Sequence, residues 1–306
     1  MGNRLNEVSM ISVRRILCPV DFSEFSKHAL DHAVVLAKWY EAELVVLHVA
    51  PLLAVFPVPG GTTRENLEPF DADAMAKELR SFVGGAAEAL PRLRMIVRAG
   101  AAASTILDCA REVEADLLVL GTHGHTGFER FMLGSVTEKV ILKATSPVFT
   151  VPRGVDAGPH GGVFRRILCG VDFSDASSQA LQYALSLAAE ANGRLTLLHV
   201  VEWMPDTTVP IQPHFDFQRY GESLVAEARA RLTQLVPRET REWCDIDTSV
   251  RVGKPYQEIL GRAVQESADL IVMGVQGRGP VDRMLFGSTT QHVVRKAPCP
   301  VLTVRP

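Results

Sequence analysis

Cysteine is sparse in this chain and follows no pairing pattern. Cys18, Cys109, Cys169, Cys244 and Cys299 are odd in number and form no C-x-x-C pair, which argues against a disulfide framework or a zinc knuckle. They read as reduced thiols. Cys18 and Cys169, in matching apolar runs, read as small buried hydrophobes. An excess of one charge is also missing: 32 Lys and Arg against 35 Asp and Glu leave a net charge of -3, so there is no basic field for nucleic acid or an anionic membrane. No stretch approaches the roughly 20 apolar residues that span a bilayer. Met1 to Ser12 has no basic region followed by an apolar signal core, so the expected location is the cytoplasm. A P-loop is absent too, since no G-x4-G-K-[ST] run occurs and "VGKP" at Val252 to Pro255 lacks both the upstream glycine and the hydroxyl.

What is present is a repeat. At 306 residues the chain is about twice a usual domain length. At an offset of 151, "RRILCPVDFS" (Arg14 to Ser23) meets "RRILCGVDFS" (Arg165 to Ser174). At an offset of 153, "ADLLVLG" (Ala115 to Gly121) meets "ADLIVMG" (Ala268 to Gly274), and "SPVFTVP" meets "CPVLTVR". The domains are therefore placed at 1–152 and 164–306, with a Pro- and Gly-rich linker at 153–163.

Each half alternates short Val, Ile and Leu runs with segments of helical period, the pattern of a doubly wound α/β domain with a five-stranded parallel sheet. Strands are expected near Ile16, Val46, Ile96, Leu118 and Phe149, and near Ile167, Leu197, Val250, Ile271 and Leu302. The first helix of each half carries an apolar stripe: Phe25, Ala29, Leu30, Ala33, Val34, Leu36 and Ala37, repeated from Ala176 to Ala188. The regions 52–70 and 203–220 break the pattern and read as variable excursions.

Gly121, Gly124, Gly134 and Ser135 share their spacing with Gly274, Gly277, Gly287 and Ser288, and each set follows the fourth strand of its half. Ligands of doubly wound sheets bind beyond the carboxyl ends of the strands where connections diverge. Asp21 and Asp172 end the first strands, so their loops and the glycine loops should flank two crevices. Glycine lets backbone N–H groups approach a phosphate, and a helix N-terminus adds donors and partial positive charge. Ser135 to Glu138 and Ser288 to Gln291 also fit the S-x-x-[E/Q] capping box, so the serines serve as caps, as ligand contacts, or as both.

With these loops the chain resembles the universal stress protein family in its tandem form, whose motif G-x2-G-x9-G-[S/T] both halves match in full. The resemblance implies a Rossmann-like fold and one ATP per domain. It implies that Asp21 and Asp172 contact the nucleoside, that Val49 and Val200 border the adenine, and that the glycine loops take ribose and phosphates. His125 and Arg278 follow the second glycine and would lie near the triphosphate. Arginine keeps its charge whereas histidine loses it around pH 6.5, so the first site should weaken relative to the second as pH rises. Magnesium would enter mainly with the phosphates. The resemblance further implies pairing of the halves through their final strands and leaves dimerisation of the whole chain open, the protein partner being unknown.

The two intact motifs, through the resemblance, imply a nucleotide-dependent stress-response sensor or regulator, and no general base or metal-binding carboxylate pair recurs in both halves to favour an enzyme. A slow ATPase, or an interaction scaffold with a structural nucleotide, is the alternative. "HGH" at His123 to His125 has Gln276 to Arg278 as its counterpart, which speaks against a metal pair. His28 and His32, at i and i+4, read as an exposed helix face. His48 and His199 do recur, and read as hydrogen-bonded histidines at the core edge. Arg130 and Arg283 recur with Glu129 and Asp282 before them, as a solvated ion pair or a guanidinium for the distal phosphate.

Overall fold

The structure, a computed structural model, describes residues 10–51, 71–124, 133–157, 164–202, 217–236, 244–276 and 287–306. Two compact units divide the chain, one spanning 12–162 and the other 163–306, the latter including Met10 and Ile11, whose backbone N–H donates to Ser186 Oγ at 2.8 Å.

The unit 12–162 runs β1 (Arg15–Val20), α1 (Glu24–Trp39), β2 (Glu43–Ala50), α2 (Ala72–Val83), α3 (Ala86–Ala89), β3 (Leu93–Ala99), α4 (Ala102–Glu112), β4 (Leu117–Gly121), α5 (Ser135–Lys143) and β5 (Val148–Val151). Its strand order is β3-β2-β1-β4-β5, and the registers that are defined are parallel. The unit 163–306 repeats this with β6 (Arg166–Gly170), α6 (Asp175–Ala191), β7 (Arg194–Val201), α7 (Phe217–Leu235), β8 (Asp245–Val252), α8 (Pro255–Gln265), β9 (Leu270–Gly274), α9 (Ser288–Lys296) and β10 (Val301–Val304), in the order β8-β7-β6-β9-β10. Every expected strand centre falls inside a strand. Central parallel strands are covered on both faces, hence the unbroken apolar runs: Ile16, Leu17 and Cys18 in β1 and Leu44 to Leu47 in β2 are fully buried.

Repeated residues outside the glycine loops have a packing reason. Asp116 Oδ2 accepts from the backbone N–H groups of Arg14 and Arg15 at 2.8 and 2.9 Å, fixing the start of β4 against that of β1. Asp269 does the same with Arg165 and Arg166, and burial pushes its carboxyl pKa upward. All five cysteines are buried thiols, and burial raises that of Cys169 to about 12, which removes it from thiolate chemistry.

Two sequence readings are corrected. His32 is buried, not on an exposed face: its Nδ1 bonds the His28 carbonyl at 2.9 Å and its ring lies near Phe149, so burial lowers its pKa. His28 is half-buried beside Asp156, at 3.5 Å. The second excursion also ends early, because α7 begins at Phe217; the region 52–70, residues 203–216 and the linker residues 158–163 lie outside the described residues.

Candidate functional site

Directly after β1 the chain makes a turn that sequence patterning does not forecast. Phe22 has φ 62° and its counterpart Phe173 has φ 63°, the left-handed region, which costs a bulky residue roughly 1–2 kcal/mol. The turn carries Ser23 back over Asp21, whose Oδ1 accepts the Ser23 backbone N–H at 3.1 Å and the Ser23 hydroxyl at 2.5 Å. Asp172 and Ser174 repeat these bonds at 3.0 and 2.6 Å. Ring contacts offset the strain: Phe22 stacks on His48 at 4.1 Å between centroids, and Phe173 lies 4.5 Å from His199. His48 Nδ1–H donates to the Val20 carbonyl at 2.9 Å and His199 Nδ1–H to that of Val171 at 2.7 Å, so the recurring histidines clamp the ends of β1 and β6. Val49 and Val200, the next residues, are half-buried at the carboxyl ends of β2 and β7.

The glycines of each loop do different things. Gly121 lies against α1, where an added Cβ would stand 3.1 Å from the Phe25 carbonyl oxygen. At Gly274 the same atom would stand 2.8 Å from Ala176 Cβ and 2.9 Å from its carbonyl carbon. The first glycine therefore permits close helix-to-strand packing. Gly124 lies against the aspartate that follows β1: a Cβ there would stand 2.5 Å from Asp21 Oδ2, so the loops after β1 and β4 meet at this point. In the second unit the Ser174 hydroxyl, whose hydrogen goes to Asp172, lies 3.5 Å from the Gln276 carbonyl oxygen, so the equivalent loops are also close neighbours.

Gly134 and Gly287 are themselves the N-caps of α5 and α9, with no side-chain cap bond. Ser135 and Ser288 are the first helical residues and exposed, so the capping-box reading does not hold. The extended ψ of the glycines, 132° and 129°, starts each helix one residue earlier than the box requires. Glycine at the N-cap leaves the first turns of both helices without a capping side chain from that position, and a helix start of this kind suits an anion.

Thr137 and Thr290, which sequence reasoning passed over, hold these helix starts in place. Their buried hydroxyls donate to the carbonyls of Gly121 and Gly274 at 2.8 and 2.9 Å. The only signal was the matching threonine two residues after each serine. Thr137→Val and Thr290→Val should each cost about 1–2 kcal/mol in urea unfolding, since each leaves a carbonyl without its partner. An unchanged midpoint for both would show that the bond does not hold the loop.

His123 sits beside Phe25, its pKa lowered by burial first and by the Arg153 charge second. Its Nε2 is buried without a hydrogen-bond partner among the described residues. His125, Gly277 and Arg278 lie outside the described residues, as do Glu129, Arg130, Asp282 and Arg283. No cluster of three or more metal-ligating side chains occurs among the described residues, nor does any helix long and apolar enough to cross a membrane.

Comparison with known proteins agrees with this arrangement of two like units. The family model of the universal stress protein family matches residues 12–152 and again 164–305. A universal stress protein of Mycolicibacterium smegmatis is 30% identical over 300 residues, 95% of this chain and 97% of its own length. One from Thermus aquaticus is 37% identical over 146 residues, 47% of this chain and 100% of its own. Among solved structures, the crystal structure of a universal stress protein from Archaeoglobus fulgidus shares the fold, with a TM-score of 0.67 at 24% identity, covering 96% of this chain and 99% of that one.

Proposed function

The chain belongs to the universal stress protein family, and from that premise we propose that it binds ATP, one molecule per domain, as a nucleotide-dependent sensor or regulator of the stress response. The observation that carries this reading is the pair of groups each unit sets beyond the carboxyl ends of its strands. One is a carboxylate held by a serine, Asp21 or Asp172. The other is a helix that opens at glycine with no side-chain cap. A carboxylate attracts hydrogen-bond donors and repels phosphate, whereas an open helix start attracts anions, each such interaction being worth roughly 0.3–1 kcal/mol when exposed and more when partly buried. A nucleoside phosphate has the matching polarity, with hydroxyl and amino donors at one end and an anionic chain at the other. Asp21 and Asp172 would face the nucleoside, with Val49 and Val200 beside the base, and the first turns of α5 and α9 with Ser135 and Ser288 would hold phosphate oxygens. Magnesium would be carried by those oxygens.

Two readouts test this on the full chain. Denatured purified protein should release adenine nucleotide identifiable by mass, and calorimetric titration of nucleotide-stripped protein should saturate at two ATP per chain. Failure of the stripped chain to bind ATP at millimolar concentration would remove the proposal.

A further inference from the structure

We propose that Ser23 and Ser174 are positioning residues that aim the carboxylates of Asp21 and Asp172 at the nucleoside, an assignment that rests on the nucleotide reading above. A serine hydroxyl has one hydrogen to donate and two lone pairs to accept with. Ser23 is the N-cap of α1, and its oxygen accepts the Ser26 backbone N–H at 3.2 Å. That bond fixes the oxygen as an acceptor on the helix side, so its single hydrogen is left for Asp21 Oδ1, at 2.5 Å. The Ser23 backbone N–H adds a second bond to the same oxygen, at 3.1 Å. Two donors on Oδ1 hold the plane of the carboxyl group, and Oδ2 is then the oxygen that meets Gly124. In the second unit Ser174 caps α6, accepts from the Ser177 backbone N–H at 3.2 Å and donates to Asp172 Oδ1 at 2.6 Å.

One hydroxyl thus does two jobs in each half. An ordinary N-cap satisfies a helix and ends there. Here the same oxygen couples the first turn of the helix to the side chain that ends the neighbouring strand. In this chain the reversal that returns Ser23 to Asp21, two residues behind it, is made at the left-handed phenylalanine.

The experiment separates positioning from mere capping. Glycine keeps most of the N-cap's stability but has no hydroxyl, so the full chain carrying Ser23→Gly and Ser174→Gly is compared with wild type for ATP, adenosine and inorganic tripolyphosphate. Loss of the aimed carboxylate should weaken ATP and adenosine about three- to tenfold, the scale of one hydrogen bond, and leave tripolyphosphate within about twofold. Ser23→Thr with Ser174→Thr, which restores hydroxyl and cap together, should return ATP affinity to the wild-type value. Equal weakening of tripolyphosphate, or no weakening of adenosine, would overturn the assignment while leaving the nucleotide reading intact. A wild-type chain that binds none of the adenine ligands would overturn both.

Discussion

Replacing Gly124 by leucine should remove one of the two expected ATP equivalents and leave the fold standing. An added Cβ would stand 2.5 Å from Asp21 Oδ2 and 3.7 Å from Asp21 Cγ, well inside normal contact for the oxygen. Asp21 has little freedom to retreat, because its other oxygen is tied to the Ser23 hydroxyl and backbone N–H. Gly124 is not in the left-handed region, so the objection is steric and not conformational. Leucine would either push the carboxylate off the nucleoside or fill the volume where the ligand approaches. First-site affinity should fall on the order of 100-fold, about 2.8 kcal/mol. Some stability should be lost too, since the carboxylate must give up a bond to Ser23 to make room, but no backbone atom is met and the fold has no reason to fail. Titration of Gly124→Leu alongside wild type decides it, and two full equivalents in the variant would sink the phosphate-loop reading.

What could be read from sequence was whatever repetition and periodicity encode. The two offsets located both copies of the fold, and Ala176, Ala180, Leu181, Ala184, Leu185, Leu187 and Ala188 are all buried on α6. The stripe on α1 was legible less completely: Phe25 and Val34 are half-buried while His32 is buried. A helical wheel gives direction but not depth, and a histidine that bonds the carbonyl four residues back needs no water for that nitrogen. The left-handed Phe22 was invisible because propensity assigns such a conformation to glycine or asparagine. It survives through stacking on His48, a contact made across strands and absent from any local window. The capping box failed for a related reason. Its letters describe side-chain options, and backbone geometry at Gly134 and Gly287 chose a different helix start.

The same limit applies to the first glycine of each motif, and it yields an expected difference between the two units. Spacing alone treats Gly121 and Gly274 as one feature, yet their surroundings are not equal. At Gly274 an added methyl would stand 2.8 Å from Ala176 Cβ, 2.9 Å from the Ala176 carbonyl carbon and 3.0 Å from the Ser177 nitrogen, two of the three being backbone of the first turn of α6. That backbone is pinned by the Ser174 cap, so it has no cheap displacement. At Gly121 the nearest atom is the Phe25 carbonyl oxygen at 3.1 Å, with the rest at 3.3 Å, distances that a few tenths of an ångström of movement relieve. Gly274→Ala should therefore destabilise its unit by about 1–3 kcal/mol, the usual range for overpacking, and Gly121→Ala by less. Hydrogen exchange read peptide by peptide resolves the units, with amides of β9 losing protection in the first variant more than amides of β4 in the second. ATP affinity of Gly274→Ala that remains folded should suffer less than that of Gly124→Leu, because the methyl turns toward α6 and away from the crevice. Equal losses of protection from the two alanines, or none in β9, would mean that helix packing is not what requires glycine at the end of this strand.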